Sequence, residues 1–259
     1  MSTAETFAAL SRSIGGGSGL LTGWVGLPDP LIAGLVARED VDAVTLDMQH
    51  GSVTIGSAVQ GIGQVLLGGK PAIVRIPVGE FQTASRMLDV GASGIIAPMI
   101  NTVADARLLA AYTKFPPVGE RSWGPALALN VSGLAMQDYL ERANALTVTI
   151  AMVETRESLA ILDEILTVPG IDGVFVGPSD LSIALSSPPV LDAGSKAVDD
   201  MLDHVLKRCR AHGKAACMFA TTGVRAKQMR ARGYDLIAIG NDVQQIRLGV
   251  KTMVDQARA

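Results

Sequence analysis

Five residues of this sequence combine a reactive type with a telling position: Asp47, His50, Arg75, Glu154 and Asp180 each close an apolar run. Asp47 and His50 follow AVTL, Arg75 follows PAIV, Glu154 follows VTIAMV, and Asp180 follows GVFVGPS. A charge at the end of such a run is not there for core packing, because burying it without a partner is costly. It makes sense where several strand ends converge on one pocket.

The residue types suggest what that pocket does. Glu154 and Asp180 lie about one β/α unit apart on what read as consecutive strands. Adjacent parallel strands are about 4.8 Å apart, so carboxylates at matching ends can share one divalent cation. Two protein ligands with otherwise water suit Mg²⁺ or a similar oxygen-loving ion. The plainer alternative is that each carboxylate caps a helix or pairs with an arginine. In Gly177-Pro178-Ser179-Asp180-Leu181-Ser182, Gly177 permits a tight turn, and the N–H groups of Ser179 and Asp180 can open a helix that binds a substrate carboxylate. An ordinary serine cap would read the same way. His50 follows Asp47 by three residues in LDMQHG. An aspartate bonded to one imidazole nitrogen fixes the tautomer and frees the other nitrogen for proton transfer. Arg75 would stabilise a developing oxyanion or fix a carboxylate, a role compatible with a salt bridge to Asp47 or Glu154. His204 and His212 sit in the helical stretch DHVLKRCRAHGK and read as solvated or capping residues. Lys70 precedes a strand and Lys214 starts one, so no lysine closes a strand and a Schiff-base mechanism is disfavoured.

The elements that must position these residues are eight apolar strands: Leu20–Leu27, Ala43–Asp47, Ala72–Ile76, Gly94–Met99, Thr147–Glu154, Gly173–Gly177, Ala215–Phe219 and Leu236–Gly240. Most precede a segment of helical period: Ile55–Leu67, Gln82–Val90, Val103–Tyr112, Ser158–Leu166, Val198–Ala211, Val224–Arg232 and Val243–Ala257. Eight β/α alternations in one chain of 259 residues predict a TIM (β/α)8 barrel over a single domain, 1–259. A doubly wound open sheet would not need chemistry on so many strand ends. Residues 1–19 read as a short helix, Thr6–Leu10, and a flexible glycine-rich hinge that lacks the Lys-Ser/Thr of a P-loop. The long Gly- and Pro-rich stretch Phe115–Gly133 is expected to fold over the barrel mouth. It offers Arg121, Trp123 and Leu127 as further substrate contacts. Asp89, at the end of a helical pattern, reads as a surface or subunit-interface residue. No internal repeat is evident.

Bulk properties exclude other classes. A net charge of −3 and 4% aromatic residues leave no footprint for nucleic acid or an anionic membrane. No apolar run of about 18 residues spans a bilayer, and no signal peptide is read at the N-terminus. Cys209 and Cys217 do not make a disulfide framework and read as reduced and structural. A cytoplasmic enzyme is expected.

In this order and spacing, LDMQHG, IVRIP, MLDVGASGIIAPMINT, FPPVGERSWGP, MVET and GVFVGPSDLS resemble the motifs of the HpcH/HpaI aldolases, from Trp24 to about Gly249. The resemblance implies a class II, metal-dependent aldolase acting on 2-oxo acids. It implies that Glu154 and Asp180 ligate Mg²⁺, Mn²⁺ or Co²⁺, that His50 backed by Asp47 moves protons, and that Arg75 holds the 2-oxo oxygen as an enolate forms. Asp89 would reach a neighbouring subunit's site in a hexamer built from dimers that exchange a C-terminal helix. The substrates implied are a 2-oxo acid such as pyruvate or hydroxypyruvate and an aldehyde.

Three positions depart from the family pattern. Gln49 stands where many members have Glu, Met152 where others have Gln, and Leu127 where an Arg is common. The loss of a guanidinium at Leu127 points to a small neutral aldehyde rather than an acidic one. The rivals are a citrate-lyase-like enzyme cleaving a CoA thioester, which would need a basic groove, and a non-catalytic 2-oxo acid binding protein on the same barrel.

Overall fold

The computed structural model describes residues 2–259; Met1, the first residue of the expected domain, lies outside them. The eight strands are β1 (Leu20–Val25), β2 (Ala43–Asp47), β3 (Ala72–Arg75), β4 (Gly94–Ala97), β5 (Val148–Val153), β6 (Gly173–Val176), β7 (Ala215–Ala220) and β8 (Leu236–Ile239). All pair in parallel with their sequence neighbours, and β8 closes on β1. This is the expected (β/α)8 barrel.

Both faces of each strand are buried, which is why the strands read as continuous apolar runs rather than alternating ones. On β5, Ile150 and Met152 join the barrel interior with Trp24, Ile73, Ile96 and Phe175, while Ala151 and Val153 join the layer beneath the helices. The register brings the reactive strand ends together. Asp47 pairs with Arg75 across β2–β3, and Val153 with Val176 places Glu154 beside Gly177.

A repeat too small to read in the sequence starts the even strands. Asp42, Asp172 and Asp235 immediately precede β2, β6 and β8. Each donates its N–H to the preceding strand, on Leu21, Thr149 and Ala216 oxygens at 2.8, 2.8 and 2.8 Å. Its carboxylate then accepts the N–H of that same residue, at 2.8, 2.7 and 2.7 Å. Ser93 makes the equivalent main-chain bond before β4, to Ala72 O at 2.7 Å. These brackets pin the start of alternate strands and so fix where the far ends emerge.

Several local expectations differ from the structure. The glycine run is tied down: Gly17 N–H donates to Asp235 Oδ1 at 2.7 Å and Gly19 N–H to Tyr234 O at 3.0 Å. Two short helices, Thr3–Phe7 and Ala9–Ser13, precede it, and Leu10 packs beside Gly94 at the N-terminal end of the barrel. Ser158–Leu166 divides into Arg156–Ala160 and Leu162–Thr167. Helices Pro30–Val36 and Pro178–Leu185 each begin with proline, whose missing N–H costs nothing at a first helical position. The stretch Phe115–Gly133 does not cover the mouth of its own barrel. Its helix Ala126–Ser132 packs against Thr3–Phe7, with Ala128 and Phe7 in one apolar cluster beneath Tyr139 and Phe115. The C-terminal helix Asp242–Arg258 buries only Asp242 among the described residues and exposes Ile246, Leu248, Val250 and Met253.

Asp235 is fully buried and also pairs with Arg210, Nη1 to Oδ2 at 2.8 Å. Asp235→Ala strands two main-chain N–H groups and a guanidinium. We expect a loss of about 3 kcal/mol in unfolding free energy by urea titration. A change below about 1 kcal/mol would show that these brackets do not hold the strand starts.

Candidate active site

A cleft of about 330 Å³ opens at the C-terminal ends of the strands. Asp47, His50, Arg75, Gly177, Ser179 and Asp180 all line it, and Trp24, Met152, Phe175 and Phe219 form its apolar floor and sides. In a parallel barrel this is the face on which catalytic groups collect.

Arg75 is the most firmly held of these groups. Its Nε donates to Asp47 Oδ1 at 2.9 Å and its Nη2 to Asp47 Oδ2 at 2.6 Å. The Trp24 ring lies 4.9 Å from the guanidinium carbon, and its indole N–H donates to Asp47 Oδ2 at 3.1 Å. Trp24 is itself wedged between Phe175 and Phe219, with centroids at 5.6 and 5.4 Å. Burial pushes the Asp47 carboxyl up, but the hydrogen bonds and charge of Arg75, with Trp24 and the Gln49 N–H, outweigh it and leave the group below its ordinary value.

Asp47 supports His50 differently from the expectation. Its Oδ1 accepts the main-chain N–H groups of Gln49 at 3.0 Å and His50 at 3.3 Å, so it orders the turn rather than the imidazole. Its carboxylate is already filled by Arg75 and Trp24. The turn must be followed by glycine, since a Cβ on Gly51 would lie 2.3 Å from Asp47 O and 2.7 Å from Gly26 Cα. The His50 side chain is exposed at the rim. Gln49 is next to the cleft but does not line it, and its Oε1 is buried with no hydrogen-bond partner among the described residues.

Glu154 lies behind Gly177, with Oε1 accepting the Met99 N–H at 3.0 Å. Met99 adopts φ 55, an uncommon left-handed conformation for a residue with a side chain. A Cβ on Gly177 would fall 2.3 Å from Glu154 Oε2, so glycine is required there for the carboxylate to approach the loop. Glu154 is 2% exposed. Burial raises its pKa, the Met99 N–H lowers it, the Asp180 charge raises it and Arg75 lowers it, for a value of about 7.

Four expected residues lie elsewhere in the chain. Trp123 stacks near Phe115 and Tyr139, at 5.5 and 6.2 Å, and does not line the cleft. Leu127 is exposed on the helix that packs under the N-terminal segment, so it makes no contact with this cleft. Their placement follows from the apolar face of that helix, which is drawn to Phe7 and not to the mouth. Asp89 and Arg121 form an ion pair at 2.6 Å, with the guanidinium 4.5 Å from the Phe115 centroid. Conversely, Trp24, Phe219, Ser52 and the Asn241-Asp242-Val243 turn line the cleft without a signal in the sequence. An aromatic or small polar residue at a strand end carries no charge to draw attention to it.

Fold and site together define a (β/α)8 barrel enzyme with Asp180, a fixed arginine and a histidine at its C-terminal mouth and Glu154 buried just behind it. The model of the HpcH/HpaI aldolase/citrate lyase family matches residues 21–248. The hydroxypyruvate/pyruvate aldolase of Rhizorhabdus wittichii is 39% identical over 92% of this chain and 94% of its own length. The 2-keto-3-deoxy-L-rhamnonate aldolase of Shigella sonnei is 32% identical over 85% and 81%. A crystal structure of an HpcH/HpaI aldolase/citrate lyase family protein from Burkholderia cenocepacia J2315 superposes with a TM-score of 0.85 at 26% identity, covering 97% of this chain and 100% of that one. The chain belongs to the HpcH/HpaI aldolase/citrate lyase family and is an aldolase, a carbon–carbon lyase.

The raised Glu154 pKa has a signed consequence. With a folded value of about 7 and an ordinary value of 4.5, the folded protein holds this proton more tightly than the unfolded chain. Stability from this group is full below pH 4.5 and is lost as pH rises to about 7. The whole window corresponds to about 3 kcal/mol. Glu154→Gln mimics the protonated form, so without added metal its stability advantage over wild type should grow between pH 4.5 and pH 8 in urea titrations. An advantage that stays constant with pH would contradict the assignment.

Proposed function

We propose that this enzyme is a divalent-metal-dependent class II aldolase that forms or cleaves 4-hydroxy-2-oxo acids, with pyruvate or hydroxypyruvate as the 2-oxo acid and a small aldehyde as its partner. The observation that carries this reading is Asp180 and Arg75 on one cleft, with the carboxylate of Glu154 buried directly behind Gly177 and within electrostatic reach of both. The donor set fits a hard cation. Glu154 is buried beside a second carboxylate, and its Oε2 occupies a cradle that only glycine at 177 leaves open. No cluster of three or more His, Cys, Asp or Glu suited to a metal exists among the described residues. A pair of carboxylates leaves positions for water and for a chelating 2-oxo acid, which suits Mg²⁺, Mn²⁺ or Co²⁺.

Glu154 and Asp180 would hold the cation, which when bound acts as a Lewis acid toward the 2-oxo group. The remaining work falls to the chain's own groups. The N–H groups at Ser179 and Asp180, on the first turn of Pro178–Leu185, receive the substrate carboxylate. Arg75 lines the cleft and keeps Nη1 uncommitted to Asp47, which holds Nε and Nη2. It stabilises negative charge on the 2-oxo oxygen as C3 becomes nucleophilic. In cleavage, the proton of the 4-hydroxyl passes toward His50 as the C3–C4 bond breaks. The electron pair then resides on the 2-oxo fragment, and the aldehyde leaves.

The CoA-thioester alternative lacks its basic groove: among the described residues lining the cleft, Arg75 is the one arginine or lysine. The exposed apolar side of Asp242–Arg258 supports exchange of this helix with a second copy in a hexamer. In that assembly Asp89, held by Arg121, would approach a neighbour's His50. Two buried thiols, both pushed up by burial, suit a cytoplasmic setting. The expected domain, 1–259, is the catalytic unit of this reading.

The decisive test is aldol addition of pyruvate or hydroxypyruvate to glycolaldehyde. EDTA should abolish turnover, and Mg²⁺, Mn²⁺ or Co²⁺ should restore it. Full activity after exhaustive chelation would overturn the metal assignment. His50→Ala should lose about 10²–10⁴ in rate while keeping Mn²⁺ affinity by calorimetry. A near-normal rate across the pH range would remove His50 from proton transfer.

A further inference from the structure

The cleft has two walls of different chemistry. One comes from β5 and β6, with Met152 and Gly177–Asp180, and carries Asp180, with Glu154 behind Gly177. The other comes from β8, β1 and β2, which adjoin in the closed barrel, and presents Asn241–Val243, Gly26–Leu27 and His50–Ser52. A 2-oxo acid anchored on the first wall turns C3 toward the second, where His50 stands. The aldehyde must therefore rest on that second wall.

Its polar atoms are largely committed to holding the wall together. Asp242 Oδ2 accepts from Gly26 N–H at 3.1 Å and Leu27 N–H at 2.8 Å, and Oδ1 accepts from Val243 N–H at 2.9 Å. The Ser52 N–H donates to Gly26 O at 2.7 Å. Asn241 Oδ1 caps the C-terminal helix by accepting the Gln244 N–H at 2.9 Å. What remains for a ligand is the Asn241 amide NH₂ and the Ser52 hydroxyl, flanked by the apolar Leu27 and Val243. The helices that follow β2, β4, β5 and β7 are capped by Thr54, Thr102, Thr155 and Thr222. A threonine cap spends its one hydroxyl on the helix; asparagine makes the same cap and keeps two N–H donors.

We infer that Asn241 and Ser52 form a hydroxyl-binding subsite that selects short, uncharged hydroxyaldehydes as the acceptor. This rests on the aldolase reading above. The wall has no lysine or arginine to meet an acceptor carboxylate, whereas its amide and hydroxyl match an aldehyde bearing a 2-hydroxyl. This proposal places acceptor selectivity on residues that line the cleft, which Leu127 does not.

Glycolaldehyde and acetaldehyde differ by that one hydroxyl, so their ratio of kcat/KM with a common donor isolates the subsite. Wild type should favour glycolaldehyde. Asn241→Ser, which keeps a capping oxygen, and Ser52→Ala, which keeps the main-chain bond, should each cut the ratio by about three- to tenfold. A loss affecting both aldehydes equally, or a ratio unchanged in both variants and in their combination, would overturn the inference. So would a wild type that prefers succinic semialdehyde. Absence of aldol product with any of these aldehydes, with metal present, would instead bring down the aldolase reading on which the subsite depends.

Discussion

The buried pair of Asp47 and Arg75 is the interaction on which the rest of the site depends. Taking two charges out of water costs several kcal/mol per ion, and mutual attraction offsets this only with good geometry and further hydrogen bonds. Here both conditions hold. The guanidinium meets the carboxylate through two nitrogens, the Trp24 face covers it, and the remaining carboxylate capacity takes an indole N–H and two main-chain N–H groups. Such a pair is weak evidence for stability. Its effect is geometric: Arg75 cannot swing away, and the turn that carries His50 starts from the same carboxylate. One residue at the end of β2 therefore fixes both the Arg75 guanidinium and the turn that carries His50.

Across the cleft the logic is reversed. Glu154 is buried against Asp180 with a single main-chain donor, Met99 N–H, and that donor is presented by a left-handed backbone. Strain at a non-glycine residue persists only where its surroundings over-determine it, and it gathers at functional sites. Gly177 removes the side chain that would push the carboxylate out. The chain thus incurs destabilisation to hold two acidic groups together, and a cation is the partner that would relieve it. Asp47 is satisfied by the protein, and Glu154 is left to be satisfied by something else. That contrast is what favours Glu154 over Asp47 as a ligand in the proposed reading, more clearly than sequence position does.

Much of this was legible before the fold was known, and for a physical reason. Charges at the ends of buried strands have no packing explanation, so Asp47, Arg75, Glu154 and Asp180 stand out; three line one mouth and Glu154 lies directly behind it. Strand bounds agree within about two residues because a barrel strand is apolar on both faces. What escaped notice obeys weaker rules. Trp24 and Phe219 look like core aromatics until Arg75 and Phe175 are placed around them. Asn241 reads as a helix cap, which it is, and only the closure of β8 on β1 turns its free amide toward the cleft. Leu127 and Trp123 are drawn to the mouth only by loop length and by the family pattern of their segment. A single apolar contact set, Ala128 on Phe7, carries their segment beneath the N-terminal helices instead.

The same segment shows how this chain handles a charge outside the cleft. Arg121 is 3% exposed, yet it has one carboxylate partner, Asp89, and its Nε and Nη1 find no acceptor among the described residues. Leaving buried donors unpaired is costly, and the Phe115 face recovers only part of that cost. As packing alone the arrangement is poorly compensated. It holds Asp89 with one oxygen bound and the other beside Gly124, where a Cβ would already come within 3.4 Å of it. Asp89 is thereby kept in place at a partly exposed edge of the barrel, much as Asp47 keeps Arg75 in place at the mouth. In both pairs a buried partner immobilises a charge, one at the mouth of the barrel and one at its edge.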